Sequence, residues 1–240
     1  MTALSRYILL VNVPVILISL LLPFTNFITY STLAYFFVFF FCIYWVSGNF
    51  YHLYWSHRQF ITTPLFEKIT ALLGLFVMVG DPINYVKTHR WHHAHSDTDK
   101  DLHSPVHGRI HSLIGWMFKD VSLPLFGVRD IVNNSYLNFL AQHQIKIIWL
   151  TLVLVFAIDR SMFSALIYTM VLGFSLEMIT NAFAHSPYSK SAKNNYVLAW
   201  LCLSTLHRNH HSDPKISNLN DPWRFIKRLL IFLKLIKEKT

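Results

Sequence analysis

Apolar and polar positions divide the chain into two pairs of long apolar runs, with a polar, histidine-rich stretch between them and a basic tail behind. Tyr7 to Phe24 and Thr32 to Tyr51 form the first pair. Each approaches the ~20 apolar residues that cross a bilayer as a helix, and the link around Asn26 to Ser31 is short enough for a hairpin. No small-x-small cleavage site follows the first run, so it reads as a retained span and not a signal peptide. The second pair, 140–158 and 162–180, is interrupted only by Asp159-Arg160-Ser161, a second hairpin tip. Ile69 to Gly80 is apolar over only twelve residues, which is short for a span and fits a buried or interfacial helix. Leu113 to Phe118 and Val121 to Phe126 are candidates to rest on the membrane surface. From Trp223 to Lys237, apolar residues recur at helical spacing among Arg224, Lys227, Arg228, Lys234 and Lys237, the pattern of an amphipathic helix in the head-group plane. The expectation is an all-α integral membrane protein, one domain over 1–240. Four transmembrane helices form two hairpins, and a helical cap carries the polar segments.

Composition sharpens this. Apolar residues make up 53% and charged residues 14%, against ~25% charged in a soluble domain. The 21 Lys and Arg outnumber the 12 Asp and Glu. In so apolar a chain that excess points to lipid head groups or acidic proteins, and no nucleic acid is expected. With four spans, only Arg160 falls in a loop on the far side, so the positive-inside rule puts the large polar segments in the cytoplasm, at a bacterial inner membrane or the ER. Cys42 and Cys202 stand far apart, which leaves no disulfide framework and no thiolate metal site.

The candidate chemistry is histidine. Of fourteen histidines, nine fall in four segments: His52 and His57; His89, His92 and His93; His185; and His207, His210 and His211. In each HxxHH triplet the imidazoles lie within an arc of roughly 100° on a helix and can point at one small volume. His52 and His57, five apart, diverge by roughly 140° on a straight helix. They meet at one ion only if the helix loosens there; otherwise two ions are present. Nine imidazoles exceed the ligand set of any single ion, so two ions are the economical reading. An all-nitrogen set at one membrane face suits iron and dioxygen better than zinc. Asp97, Asp99 and Asp101 either orient ligand imidazoles or form a solvated acidic turn. Glu177 shares a helix face with Asn181 and His185; it either orients an imidazole N–H or reaches the interface. His95, His103, His107, His111 and His143 read as surface or supporting residues.

These segments resemble the membrane fatty-acid desaturases, in particular the delta-9 acyl-CoA and acyl-lipid branch. His52-Leu-Tyr-Trp-Ser-His57-Arg58 is similar to that branch's HxxxxHR box. His89-Arg-Trp-His92-His93 with Ser96-Asp-Thr-Asp99-Lys-Asp101-Leu-His103 is similar to HRxHHxxSDTDxDPH, with Leu102 in place of the proline. Asn181-Ala-Phe-Ala-His185 matches NSxxH at its Asn and His. His207-Arg-Asn-His210-His211 matches HNxHH, with Leu203-Ser-Thr-Leu206 where the branch usually has a Gly-Trp, and Lys193-Asn-Asn195 resembles the RNN before that box.

The resemblance implies a di-iron centre held by the nine histidines, with Asn181 holding a water on one iron. It implies O2-dependent insertion of a cis double bond, with delta-9 the leading position, into a fatty acyl chain carried as acyl-CoA or acyl-lipid. No HPGG segment and no CxxC pair occurs, so the two electrons are expected from a separate carrier, cytochrome b5 or a ferredoxin. Arg58, Lys87 and Arg90 are candidates to hold an anionic head group. The rival readings are a hydroxylase or ketolase of a lipid or carotenoid on the same di-iron scaffold, and a non-enzymatic membrane metal-binding protein.

Overall fold

The computed structural model describes residues 3–119, 123–124, 127–216 and 218–239, so most of the Val121 to Phe126 stretch lies outside the described residues. Among these residues, four helices are long and apolar enough to cross a membrane: Ala3–Phe24, Tyr30–Ser56, Ser135–Ile158 and Arg160–Phe183. Each matches an apolar run of the sequence but extends past it, because hydropathy marks the lipid-facing stretch and not the last hydrogen-bonded turn. The extension that matters is at the second helix, which continues to Ser56 and so carries His52.

The helix ends are written in side-chain chemistry. Thr29 and Thr32 form a reciprocal cap that starts the second long helix. Asp159 accepts from the Met162 N–H at 2.8 Å and starts the fourth, as expected of an N-cap. The two tips touch: Thr29 Oγ1 lies 2.8 Å from Ser161 Oγ, and the Arg160 guanidinium sits over the Phe156 ring. These tips and the histidines therefore occupy opposite ends of the four helices.

The second and fourth helices pack along each other, and glycine sets how closely. A Cβ at Gly173 would stand 3.1 Å from the Tyr44 ring. A Cβ at Gly74 would fall 2.1 Å from the Tyr51 ring, so only glycine fits there without displacing an aromatic wall. Gly74 belongs to a bent pair, Pro64–Val77 and Pro82–His95, turned by 79° at Met78 and Gly80, whose φ values are 66° and 90°. Hydrogen bonds from Asn12 to the Met78 carbonyl (3.1 Å) and from Tyr51 to the Ala71 carbonyl (2.9 Å) hold the bend against the first two helices.

Two short antiparallel ladders complete the described chain: Phe60–Thr62 with Ile236–Glu238, and His185–Ser186 with Ser191–Ala192. The first corrects the expected tail. The amphipathic helix runs only Trp223–Phe232 and does not reach 237. Lys234 takes a left-handed φ of 56°, and the Leu235 N–H returns to the Leu230 carbonyl at 2.9 Å, which closes the helix as a C-terminal capping turn does. Ile236 is then buried, and the backbone pairs with the strand beyond His57.

Candidate metal centre

Each histidine segment is positioned by its own local chemistry. The second long helix widens to i→i+5 hydrogen bonding over Phe40–Gly48 and Phe50–Ser56. Residues five apart then lie about one turn apart, and the His52 and His57 rings come within 5.6 Å. Loosening of the helix is thus how these two side chains meet. Asp81 accepts from the Asn84 N–H at 2.9 Å and Pro82 opens the helix Pro82–His95, which carries the second segment. Arg90 on that helix donates to the carbonyls of Trp55 (2.9 Å) and Ser56 (2.8 Å), capping the second long helix and bringing His57 beside His89.

The last segment sits on a short helix, His207–Ser212, started by two side chains from elsewhere. Asn194 Oδ1 accepts from the Arg208 N–H at 2.9 Å, and Asp221 Oδ1 accepts from the Leu206 N–H at 2.9 Å. Asn195 caps the preceding helix Tyr196–Cys202. The Lys193-Asn-Asn195 segment therefore serves as two adjacent caps.

The nine imidazoles converge in two groups: His52, His57, His89, His93 and His210; and His92, His185, His207 and His211. Within each group all ligand atoms lie within 4.8 Å of one another. The triplets do not each aim at one point. In both, the i, i+4 pair stays together and the middle histidine crosses to the other group: His89 and His93 take His210, while His207 and His211 take His92. Helix geometry explains this, since residues four apart differ by ~40° in direction and adjacent ones by ~100°.

Nε2 atoms face each other at 2.8 Å (His52–His210 and His57–His89), 3.1 Å (His93–His210) and 2.7 Å (His185–His207). Two nitrogens bound at right angles to one metal at ~2.05 Å would stand ~2.9 Å apart. The donor set therefore fits metal ligation. The two groups adjoin, with His92 Nε2 3.2 Å from His211 Nε2.

Two carboxylates orient these rings. His185 Nδ1 donates to Asp97 Oδ2 and His92 Nδ1 donates to Asp101 Oδ2, both at 2.8 Å. An imidazole protonated at Nδ1 presents its Nε2 lone pair, the form a metal takes. Asp97 sits at a left-handed φ of 58°, which turns the chain back beneath the site. Its N–H donates to Asp101 and its Oδ1 accepts from Ser104. Burial raises the Asp97 pKa, but the His185 and Ser104 hydrogen bonds outweigh it and hold the group below the usual carboxylate range. Burial pushes Asp101 up to about 6, against N–H donors from Asp97 and His103. Asp99 is exposed and takes no such position.

Burial, then mutual repulsion, drives His57, His89, His92, His93, His207, His210 and His211 below the ordinary imidazole value, His211 to about 3. They are neutral and ready to ligate. The unfolded chain would bind more protons than the folded one below about pH 6.5, so folded stability falls as pH falls. Asp101, Asp81 and Asp221, raised in the fold, work the other way, but the lowered histidines outnumber them. The melting temperature of the metal-free protein in detergent is therefore expected to drop steadily from pH 7 to pH 5. A flat or rising profile would contradict the convergence of neutral imidazoles.

Of the remaining predicted residues, Arg58 and Arg90 converge on Asp130, at 3.0 and 2.7 Å. Despite burial, the two guanidiniums hold Asp130 below the usual carboxylate range. Lys87 stays half-buried with Asp81 as a charged neighbour. Asn181 and Glu177 line two cavities, and no described imidazole bonds Glu177. His103 is buried, with its ring 4.3 Å from that of His92, so it is a supporting residue and not a surface one. Asp130 and Asp221 carried no sequence signal, being distant in the chain from the segments they organise.

No protein-family model matches the chain. Curated proteins do. An acyl-CoA C20 delta-5 desaturase of Anemone leveillei is 27% identical over 218 residues, 82% of this chain and 69% of the relative. The sn-1 stearoyl-lipid 9-desaturase of Anabaena variabilis is 28% identical over 188 residues, 71% and 69% of the two chains. Delta-9 acyl-lipid desaturase 1 of Arabidopsis thaliana is 30% identical over 178 residues, 68% of this chain and 58% of the relative. The alignments thus span about two thirds of the relatives' lengths. Histidine segments that converge into groups able to bind metal, four apolar helices and these similarities agree: the chain belongs to the fatty-acid desaturase family.

Proposed function

We propose that the protein uses O2 to desaturate a fatty acyl chain at two irons, one per histidine group. The observation that carries this is the convergence of nine Nε2 donors into a set of five and a set of four. A five-imidazole set exceeds the four ligands zinc usually takes and suits six-coordinate iron; the four-imidazole set leaves room for the water assigned to Asn181. When bound, the irons would supply the oxidising power of O2. The balance is one CH2–CH2 unit, O2, two electrons and two protons giving one CH=CH unit and two waters.

The chain's own residues do the rest. The histidines hold the metals, Asp97 and Asp101 fix the tautomers of His185 and His92, and the helix walls position the chain and exclude solvent. Electrons come from a separate acidic carrier, cytochrome b5 or a ferredoxin, attracted by the basic face. Lys87, with whatever capacity Arg58 and Arg90 retain beyond Asp130, holds an anionic head group. The four apolar helices act as two membrane hairpins in a single domain, with the histidine side in the cytoplasm. The concentration of Lys and Arg on that side supports this orientation.

Relatives named for positions 5 and 9 match at similar identity, 27% and 28%, and a cis delta-9 bond in a C16 or C18 chain is the position proposed here. Expression in a desaturase-deficient host, with gas chromatography of the total fatty acids, tests it. A new cis-monoene is expected; hydroxylated chains or oxidised carotenoids without a new double bond would establish a hydroxylase or ketolase instead.

A further inference from the structure

One cavity adjoins both histidine groups, touching His52 and His89 of the first and His207 of the second. Tyr44, Glu177, Thr180, Asn181, Cys202 and Thr205 bring polar groups to its other wall, among apolar residues such as Leu198 and Ala199. A second cavity, flanked by Trp116, Met117 and Met178, lies next to it, and Tyr85, His89, Glu177 and Asn181 wall both. Glu177 therefore stands where the two spaces meet, one helical turn from Asn181.

Its carboxylate is short of donors. A carboxylate has about four acceptor sites, yet the side-chain donor beside Glu177 is the Tyr44 hydroxyl. That hydroxyl also lies 3.1 Å from Cys202 Sγ, so one phenolic proton serves two neighbours. Among the described residues no Lys, Arg or His pairs with Glu177. No described imidazole bonds it either, and the carboxylates that take the Nδ1 atoms of His185 and His92 are Asp97 and Asp101. Thr205, 5% exposed, presents an Oγ1 with no partner to the same cavity. The position is built, because Gly173 leaves the space in which the Tyr44 ring lies against the helix.

A plain methylene chain gives none of these atoms a partner, and burying a carboxylate against hydrocarbon is costly. An anionic group would be repelled. We infer that the substrate carries a hydrogen-bond donor, a hydroxyl or an amide N–H, a few carbons from the bond oxidised, and that Glu177 receives it. Thr205 then completes the pairing of a hydroxyl oxygen. This makes Glu177 a specificity-determining residue, and it rests on the desaturase reading above.

The test feeds the desaturase-deficient host equal amounts of palmitate, a positional series of hydroxypalmitates and an N-palmitoyl amide, with products read by mass spectrometry. Wild type is expected to convert one hydroxy isomer, or the amide, roughly tenfold or more over palmitate, the size of a hydrogen bond to a charged group. The favoured substrate identifies the donor as O–H or N–H. Glu177→Leu should lower conversion of the favoured chain and raise that of palmitate, while Glu177→Gln, which keeps an acceptor, should retain part of the preference. Palmitate favoured by wild type, or a ratio unmoved by Glu177→Leu, overturns the inference. If no chain gains a double bond, the desaturase reading fails and binding decides separately. The donor-bearing chain should then raise the melting temperature of purified wild type more than palmitate does, and not that of Glu177→Leu; equal shifts overturn the inference.

Discussion

Alanine at His210 is expected to abolish desaturation and to strip metal from the five-histidine group. The His210 ring is fully buried and its Nε2 stands 2.8 Å from that of His52 and 3.1 Å from that of His93, so no neighbour can move in to replace it. The loss should exceed the ~10–100-fold typical of changing a residue behind a metal ligand. His92→Ala should do the same to the four-histidine group. His143, whose Nδ1 bonds the Phe139 carbonyl on the third long helix, is the control, and His143→Ala should leave metal content and activity unchanged. Metal analysis and product formation on the three variants check this. Full activity in His210→Ala would show that the convergence is not a catalytic centre.

The second large effect belongs to Asp101. Asp101→Ala removes the acceptor of His92 Nδ1–H, of the Asp97 N–H and of the His103 N–H together, leaving three buried donors unpaired. His92 is then free to turn or to change tautomer. Metal affinity or activity should fall by ~10–100-fold, and Asp101→Asn, which keeps one acceptor oxygen, should fall less. Asp99→Ala, at an exposed position two residues away, should have no effect. Equal losses in Asp99→Ala and Asp101→Ala would mean that the acidic turn acts as bulk charge and not through His92.

These two cases mark what was legible in the sequence. The nine histidines were visible because spacing on a helix is a local property, and so were the four apolar helices. Their partition between two groups lies in the same periodicity: His92 points ~100° away from His93 and so serves the other set. The meeting of His52 with His57 depended on a widened helix, which apolar pattern does not report. Asp130, joining Arg58 to Arg90, and Asp221, starting the last histidine helix, act across long stretches of chain. Such contacts exist only once the chain has folded, and no local spacing announces them. The tail departs from its sequence pattern for a related reason. Apolar residues continue at helical spacing past Phe232, but pairing with Phe60–Thr62 captures the last of them as a strand.

The central claim is that the two imidazole groups hold two irons. Metal content of the protein purified from membranes, after anaerobic reconstitution with ferrous iron, measures it directly. About two irons per chain are expected, one for each group. One zinc per chain, with no iron taken up, would contradict it.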